Sequence, residues 1–271
     1  MMADLLTWLQ DVPSLHVAIG AALVAGLATC LGAVPLMFMN RISRATETLM
    51  MSFGAGVMLA AAFFSLLVPG LEIAATLSTS PIAPPLWVGA ALALGASIFF
   101  LADRYLPHEH FIAGPEGSTA TPERIHRVWL FVIAIAIHNL PEGLSVGIGF
   151  AGDNVANGLA ITAGISLQNL PEGLIVGAAL LMVGYSRLQA IGVVALTGLV
   201  MSTGGILGAV FVGLGGSALM PWALGFAAGA MLFVIIDEIV PETHGRGFDR
   251  HANIGFIGGF ILMMFLDLVL D

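Results

Sequence analysis

The sequence predicts an all-α membrane protein of eight transmembrane helices, arranged as a 3+2+3 inverted-repeat bundle with both termini outside the cell. Three observations carry that expectation. The 271 residues are 58% hydrophobic and 9% charged, with a mean hydropathy of +1.01, whereas a soluble domain carries roughly 25% charged residues. Apolar runs of about 20 residues, long enough to cross a hydrocarbon core, recur along the whole chain. The basic residues fall only on alternate connections between those runs.

The runs cover about 16–39, 46–71, 84–104, 127–151, 155–184, 188–213, 218–243 and 253–270, and 1–271 reads as a single transmembrane domain. All eight basic residues are arginine: Arg41 and Arg44, then Arg104, Arg124 and Arg127, then Arg187, then Arg246 and Arg250. Each lies in an odd-numbered connection, and the positive-inside bias makes that side cytoplasmic. The expected location is therefore the cell's inner (plasma) membrane, with extracytoplasmic N- and C-termini. The opposite side carries Asp4, Asp11, Glu72, Asp153, Asp267 and Asp271 and no basic residue, so it should concentrate cations. Glu72 and Asp267, at the outer ends of the second and eighth runs, are candidate entrance residues.

Residues 1–13 have no basic n-region, so no cleaved signal peptide is expected. The single cysteine, Cys30, excludes an internal disulfide and a thiolate cluster. A net charge of −9 argues against a nucleic-acid partner. A monomer and a homodimer both remain open.

The outer runs echo one another in order. Leu31-Gly32-Ala33-Val34 matches Leu207-Gly208-Ala209-Val210, and Ala55-Gly56-Val57-Met58-Leu59 matches Ala228-Gly229-Ala230-Met231-Leu232. Pro69 and Pro241 follow those two methionines, and Phe100-Leu101-Ala102-Asp103 matches Phe265-Leu266-Asp267. Three helices, a two-helix insert and three more helices of opposite orientation form an inverted repeat, a construction common among secondary transporters. Small residues spaced four apart, such as Gly143/Gly147 and Gly173/Gly177, let membrane helices approach closely.

The central pair holds the chemistry. His138-Asn139-Leu140-Pro141-Glu142-Gly143 recurs as Gln168-Asn169-Leu170-Pro171-Glu172-Gly173. A carboxylate in such an apolar run costs several kcal/mol unless it is compensated. On a helix, His138 and Glu142 share a face, as do Gln168 and Glu172. Pro141 and Pro171 lack the N–H that would bond the carbonyls of Ile137 and Leu167. Two carboxylates about 4 Å apart repel by roughly 4 kcal/mol at an effective dielectric of 20; a divalent cation removes that conflict. Mixed nitrogen and oxygen ligation suits Zn²⁺, Fe²⁺, Mn²⁺ or Cd²⁺ better than Na⁺ or K⁺.

Other candidates lie nearby. Asp237-Glu238-Ile239-Val240-Pro241-Glu242 is a relative of the motif, and Asp237 and Glu238 suggest a further station towards the cytoplasm. The hydrophilic connection 105–126 carries His108, Glu109 and His110, which read either as a cation-collecting cluster or as part of a solvated linker. Met58 reads as core packing, with a thioether ligand as the alternative.

The paired motifs resemble the metal-site signatures of the fourth and fifth helices of the ZIP (Zrt-, Irt-like) transporters, closest to bacterial members. The resemblance extends through His108-Glu109-His110 and Asp237–His244. It implies import of Zn²⁺ or a similar divalent ion towards the cytoplasm, and it adds Met58 to a primary site of His138, Glu142, Gln168 and Glu172. Many members hold a second, adjacent metal with an asparagine, an aspartate and often a glutamate. The corresponding positions here are Asn139, Asn169 and Ser202. The expectation is a transporter and not an enzyme, with no catalytic cofactor. A metal-selective channel is the alternative; an intramembrane metallohydrolase would need a pattern such as His-Glu-x-x-His, which is absent.

Overall fold

A computed structural model describes residues 12–38, 43–105, 122–150, 154–243 and 247–270. The described residues contain helices and no strands. Eight helices are long and apolar enough to cross a membrane. We label these Ser14–Gly32 α1, Arg44–Leu77 α2, Ala83–Tyr105 α3, Pro122–Ile148 α4, Val155–Met182 α5, Arg187–Leu214 α6, Ala218–Asp237 α7 and Asp249–Leu270 α8.

Local chemistry sets the helix ends. Pro35 cannot donate a backbone N–H, and α1 gives way to a short 3₁₀ turn over Val34–Met37. Ser43 caps α2, its hydroxyl accepting from the Thr46 N–H at 3.1 Å, with Glu47 in the first turn. Asn154 caps α5 in the same way through Asn157, and Ser186 with Gln189 forms a capping box before α6. Helix α2 continues six residues beyond the expected end. Helix α4 starts at Pro122, five residues before the expected 127, because proline is tolerated in a first helical turn. His108, Glu109 and His110 lie outside the described residues, as do Arg41, Arg246 and His244.

The helix contacts obey a pseudo-two-fold. Gly143 of α4 abuts the Met201 backbone of α6, and Gly173 of α5 abuts the Thr29 backbone of α1. Gly204 of α6 faces the Leu140 backbone, as Gly32 of α1 faces that of Leu170. In the outer helices, Gly95 of α3 lies on Phe226 and Ala230 of α7, while Gly259 of α8 lies on Phe53 and Val57 of α2. Gly26 and Gly198 meet each other, where α1 crosses α6 near the axis. These pairs support the register expected between α2 and α7 and the pairing of Asp103 with Asp267. They correct the register of α1 with α6 by one helical turn: Gly32 corresponds to Gly204, not Gly208. In helices made of Gly, Ala and Leu, a four-residue shift presents nearly the same surface, so the sequence match alone cannot tell the two apart.

Contacts also fix directions. Gly54 meets Gln168 and Gly164 meets Val57, so α2 and α5 run antiparallel; α1 and α6 do the same, while Gly225 on Val88 and Gly229 on Leu92 make α3 and α7 parallel. The helical run Arg187–Val234 therefore holds two spans of opposite direction, α6 and α7.

One π turn lies within α2, at Ala61–Leu67, and another runs on from the end of α7, at Ile235–Ile239, each followed at once by Val-Pro. The N–H of Val68 donates to Phe63 O and that of Val240 to Ile235 O. A wider turn relieves the clash between the proline ring and the preceding carbonyls. The turn is longer in α2, which absorbs the extra residue between Met58 and Pro69.

Glycines in direct contact with another helix's backbone stay within two groups, α1/α4/α5/α6 and α2/α3/α7/α8. Across the seam the corresponding contacts are side chains: Gly54 on Gln168, and Gly164 on Met263 and Val57. Each group is thus locked by backbone, and the seam is closed by flexible side chains. Gly143→Ala or Gly173→Ala would push a methyl into a carbonyl and should cost about 1–3 kcal/mol. Gly192→Ala and Gly258→Ala, where nothing lies within 4 Å, should leave thermal unfolding in detergent unchanged.

Candidate metal centre

Both copies of the motif lie inside unbroken helix, with Pro141 within α4 and Pro171 within α5. The helices remain continuous because each is packed along its length against α1 or α6. His138, Glu142 and Gln168 are buried, Asn139 and Asn169 are fully enclosed, and Glu172 is half-buried. The Gln168 amide (Nε2) donates to Glu142 Oε1 at 2.6 Å. Gln168 and Asn139 also lie against the Glu172 carboxylate, and the two glutamates are close enough to repel one another.

Several acceptors are left over. Glu142 Oε2, Gln168 Oε1, Glu172 Oε1, Asn139 Oδ1 and Asn169 Oδ1 are buried and have no hydrogen-bond partner. Each such orphan costs about 1–3 kcal/mol. Oxygens of this kind, gathered from two facing helices, form a donor set for a cation. Among the described residues no three His, Cys, Asp or Glu side chains are already assembled around one point. The Gln168 bond occupies one Glu142 oxygen and leaves the other without a partner.

A cavity of about 50 Å³ starts at His138, Glu142, Gln168 and Glu172. Its other walls lie one to two helical turns away along each helix, at Met50 and Met51 of α2, Ala134 and Ile135 of α4 and Ile175 of α5. All of these lie towards the end of the bundle that carries Arg44 and Arg187. Ile239, in the π turn that also holds Asp237 and Glu238, lines the cavity as well. The side chain of Glu238 lies outside the described part.

The remaining candidates sit apart. Gly54 is the α2 residue against Gln168; Met58 is one turn further on, fully buried in the core and off the cavity wall. Glu72 is exposed, inside the extended end of α2. Asp267 is turned inward, 9% exposed, and accepts a 2.6 Å hydrogen bond from Ser65 Oγ in the α2 π turn.

Asn169 is held on its other side. Its Nδ2 donates to Ala25 O at 2.9 Å and to Met201 Sδ at 2.8 Å. The α6 side chain beside Asn169 is therefore Met201, and Ser202 is placed elsewhere. The Ser202 hydroxyl donates to Ala22 O at 3.2 Å and to Gly198 O at 3.1 Å. Met201, Ser65 and the pair Met50 and Met51 are absent from the expectations drawn from sequence. For Met201 the available signal was the one-turn register between α1 and α6; for the others there was none beyond helical position.

Known proteins resemble this chain in sequence. A profile described as ZIP zinc transporter matches residues 108–267, more than half of the chain. The zinc transporter ZIPB of Bordetella bronchiseptica is 41% identical over 259 residues, covering 94% of this chain and 83% of its own. The zinc transporter GufA of Myxococcus xanthus is 39% identical over 250 residues, covering 92% of this chain and 97% of its own. The human zinc transporter ZIP11 is 33% identical over 298 residues, with 80% and 86% covered. By the doubled motif, the eight-helix fold and these relatives, the chain belongs to the ZIP zinc transporter family.

Proposed function

We propose that this protein carries a divalent transition-metal ion, Zn²⁺ foremost and Cd²⁺, Fe²⁺ or Mn²⁺ as alternatives, into the cytoplasm through a site midway across the membrane. The observation that carries the proposal is the pair Glu142 and Glu172, which lines the cavity while each keeps one enclosed oxygen without a hydrogen-bond partner. The pair's two negative charges match one divalent ion, so binding removes both their mutual repulsion and the cost of their burial. His138 supplies a neutral nitrogen. Gln168 gives up its bond to Glu142 and, by turning its amide over, presents Oε1 to the ion. Met58, on the same α2 face as Gly54, completes the set when α2 shifts along α5.

Charge supports the orientation behind this reading. With the arginine-bearing side taken as cytoplasmic, the cavity lies between the site and the cytoplasm, both termini lie outside, and the acidic outer side is the side of entry. A cavity on one side of the site, facing a filled core on the other, favours a carrier over a channel. On the other side the passage is filled by fully buried Val57, Met58, Ile161 and Ile165. Asp267 and Ser65 lie beyond that plug and serve as an inner entrance station, with Glu72 gathering ions at the surface. Asp237 and Glu238 are the corresponding station on the exit side. The sequence carries no His-Glu-x-x-His pattern, and on this reading the inward carboxylates act as ligands.

The test is flux into liposomes. Wild type should take up Zn²⁺ with saturable, temperature-sensitive kinetics, while Glu142→Ala and Glu172→Ala stay folded and inactive. His138→Ala should weaken affinity and alter ion preference without abolishing uptake. Wild-type transport by Glu142→Ala would remove the assignment.

The centre should hold one ion. Asn139, Asn169 and Met201, which surround the neighbouring position, are neutral, so a second divalent ion would leave about two uncompensated positive charges in the membrane interior. Metal analysis should give one tightly held ion per chain at the motif in wild type. Asn169→Asp should raise this towards two, by adding charge and releasing the bond to Met201. Two ions in wild type would show the charge argument to be wrong.

A further inference from the structure

Between the central carboxylates and the arginine-bearing end, the cavity wall is almost wholly hydrocarbon. Phe131, Ala134, Ile135, Ile175 and Ile239 offer no ligand atom in their side chains. The exceptions are Met50 and Met51, consecutive residues of α2 that line this passage and pack against the buried cluster of α1, α4, α5 and α6. An ion leaving two carboxylates for a hydrocarbon channel loses its ligands before it regains a full hydration shell, and that step is a barrier. A thioether is a weak ligand, but a polarisable one that favours soft and borderline cations and offers little to hard ones.

The geometry points to Met50 and Met51 as a thioether station on the cytoplasmic side of the site, which lowers the exit barrier for soft and borderline divalent ions and so biases transport towards Cd²⁺ and Zn²⁺ over Mn²⁺. This rests on the transport reading above. The pseudo-two-fold strengthens it. The register that carries Met58 onto Met231 carries Met50 and Met51 onto Ala223 and Leu224, so the thioethers belong to one side of the site and are no product of the repeat. Both methionines also lie on the seam between the two helix groups, where a long flexible side chain keeps contact with an ion over a range of positions.

The experiment compares Cd²⁺ and Mn²⁺ flux into liposomes for wild type, the double variant Met50→Leu/Met51→Leu and the double variant Met50→Gln/Met51→Gln. Leucine keeps the volume and removes the sulfur; glutamine keeps the length and replaces sulfur with an amide oxygen, a harder ligand. The Cd²⁺:Mn²⁺ flux ratio should fall several-fold in the leucine pair. In the glutamine pair it should fall further, with Mn²⁺ flux rising in absolute terms. If either pair fails to fold by thermal melt, the other still decides the matter, and the single variants decide it if both fail. An unchanged ratio in folded variants that still transport overturns the station and leaves the transport reading intact. Wild-type liposomes that pass neither ion overturn the transport reading, and the station with it.

Discussion

Two carboxylates held side by side away from water are the constraint on which the rest of this molecule depends. Two carboxylates in an apolar bundle repel one another and call for compensation, and the protein supplies only part of it. Gln168 bridges one oxygen, and Asn139 and Gln168 crowd the other carboxylate, yet several acceptors stay open. The helices around them are therefore built to be dense where the site is not. Backbone-to-backbone glycine contacts on both sides of the motif, at Gly143 and Gly173, hold α4 and α5 so that the unmet demand remains in place. A looser bundle would let the side chains turn towards other partners and dissolve the site.

The division into two groups gives this tension somewhere to go. Backbone contacts at glycine have essentially one geometry, since a shift of an ångström either clashes or opens a void. Side chains such as Gln168 and Met263 tolerate such shifts. Motion that changes access to the site is thus cheapest along the seam between α2 and α8 on one side and α5 on the other. The π turns in α2 and α7 add slack beside that seam, because each interrupts the regular hydrogen-bond ladder just before a proline.

Much of this was legible in the sequence. Eight apolar runs, the doubled motif and the match of Ala55–Leu59 to Ala228–Leu232 anticipate the helices, the central residues and one register of the repeat. The signals were strong because each combined an unusual residue type with a fixed spacing in an apolar background. What stayed hidden depended on which face of a helix turns inward. Met58 and Gly54 lie one turn apart on one face, and nothing in the sequence says which of them meets Gln168. Met201 and Ser202 are neighbours in the chain, yet one faces Asn169 and the other bonds Ala22 and Gly198. Ser65 finds Asp267 across two hundred residues because a π turn rotates it there. Periodicity predicts a face; it does not fix the angle at which that face meets its neighbour.

The pseudo-two-fold also works as a translation table between the two sides of the membrane. Applied to the cavity walls, it carries Phe131 onto Ile161, Ala134 onto Gly164, Ile135 onto Ile165, Ile175 onto Ser145 and Met51 onto Leu224. Ile161, Ile165, Ser145 and Leu224 are all fully buried. Much of the cavity lining thus has its counterpart in the buried core on the opposite side of the glutamates. One half of the repeat surrounds a hollow where the other half is solid. On the transport reading proposed above, the side chains of a second passage are found by following the repeat from the hollow half to the solid one.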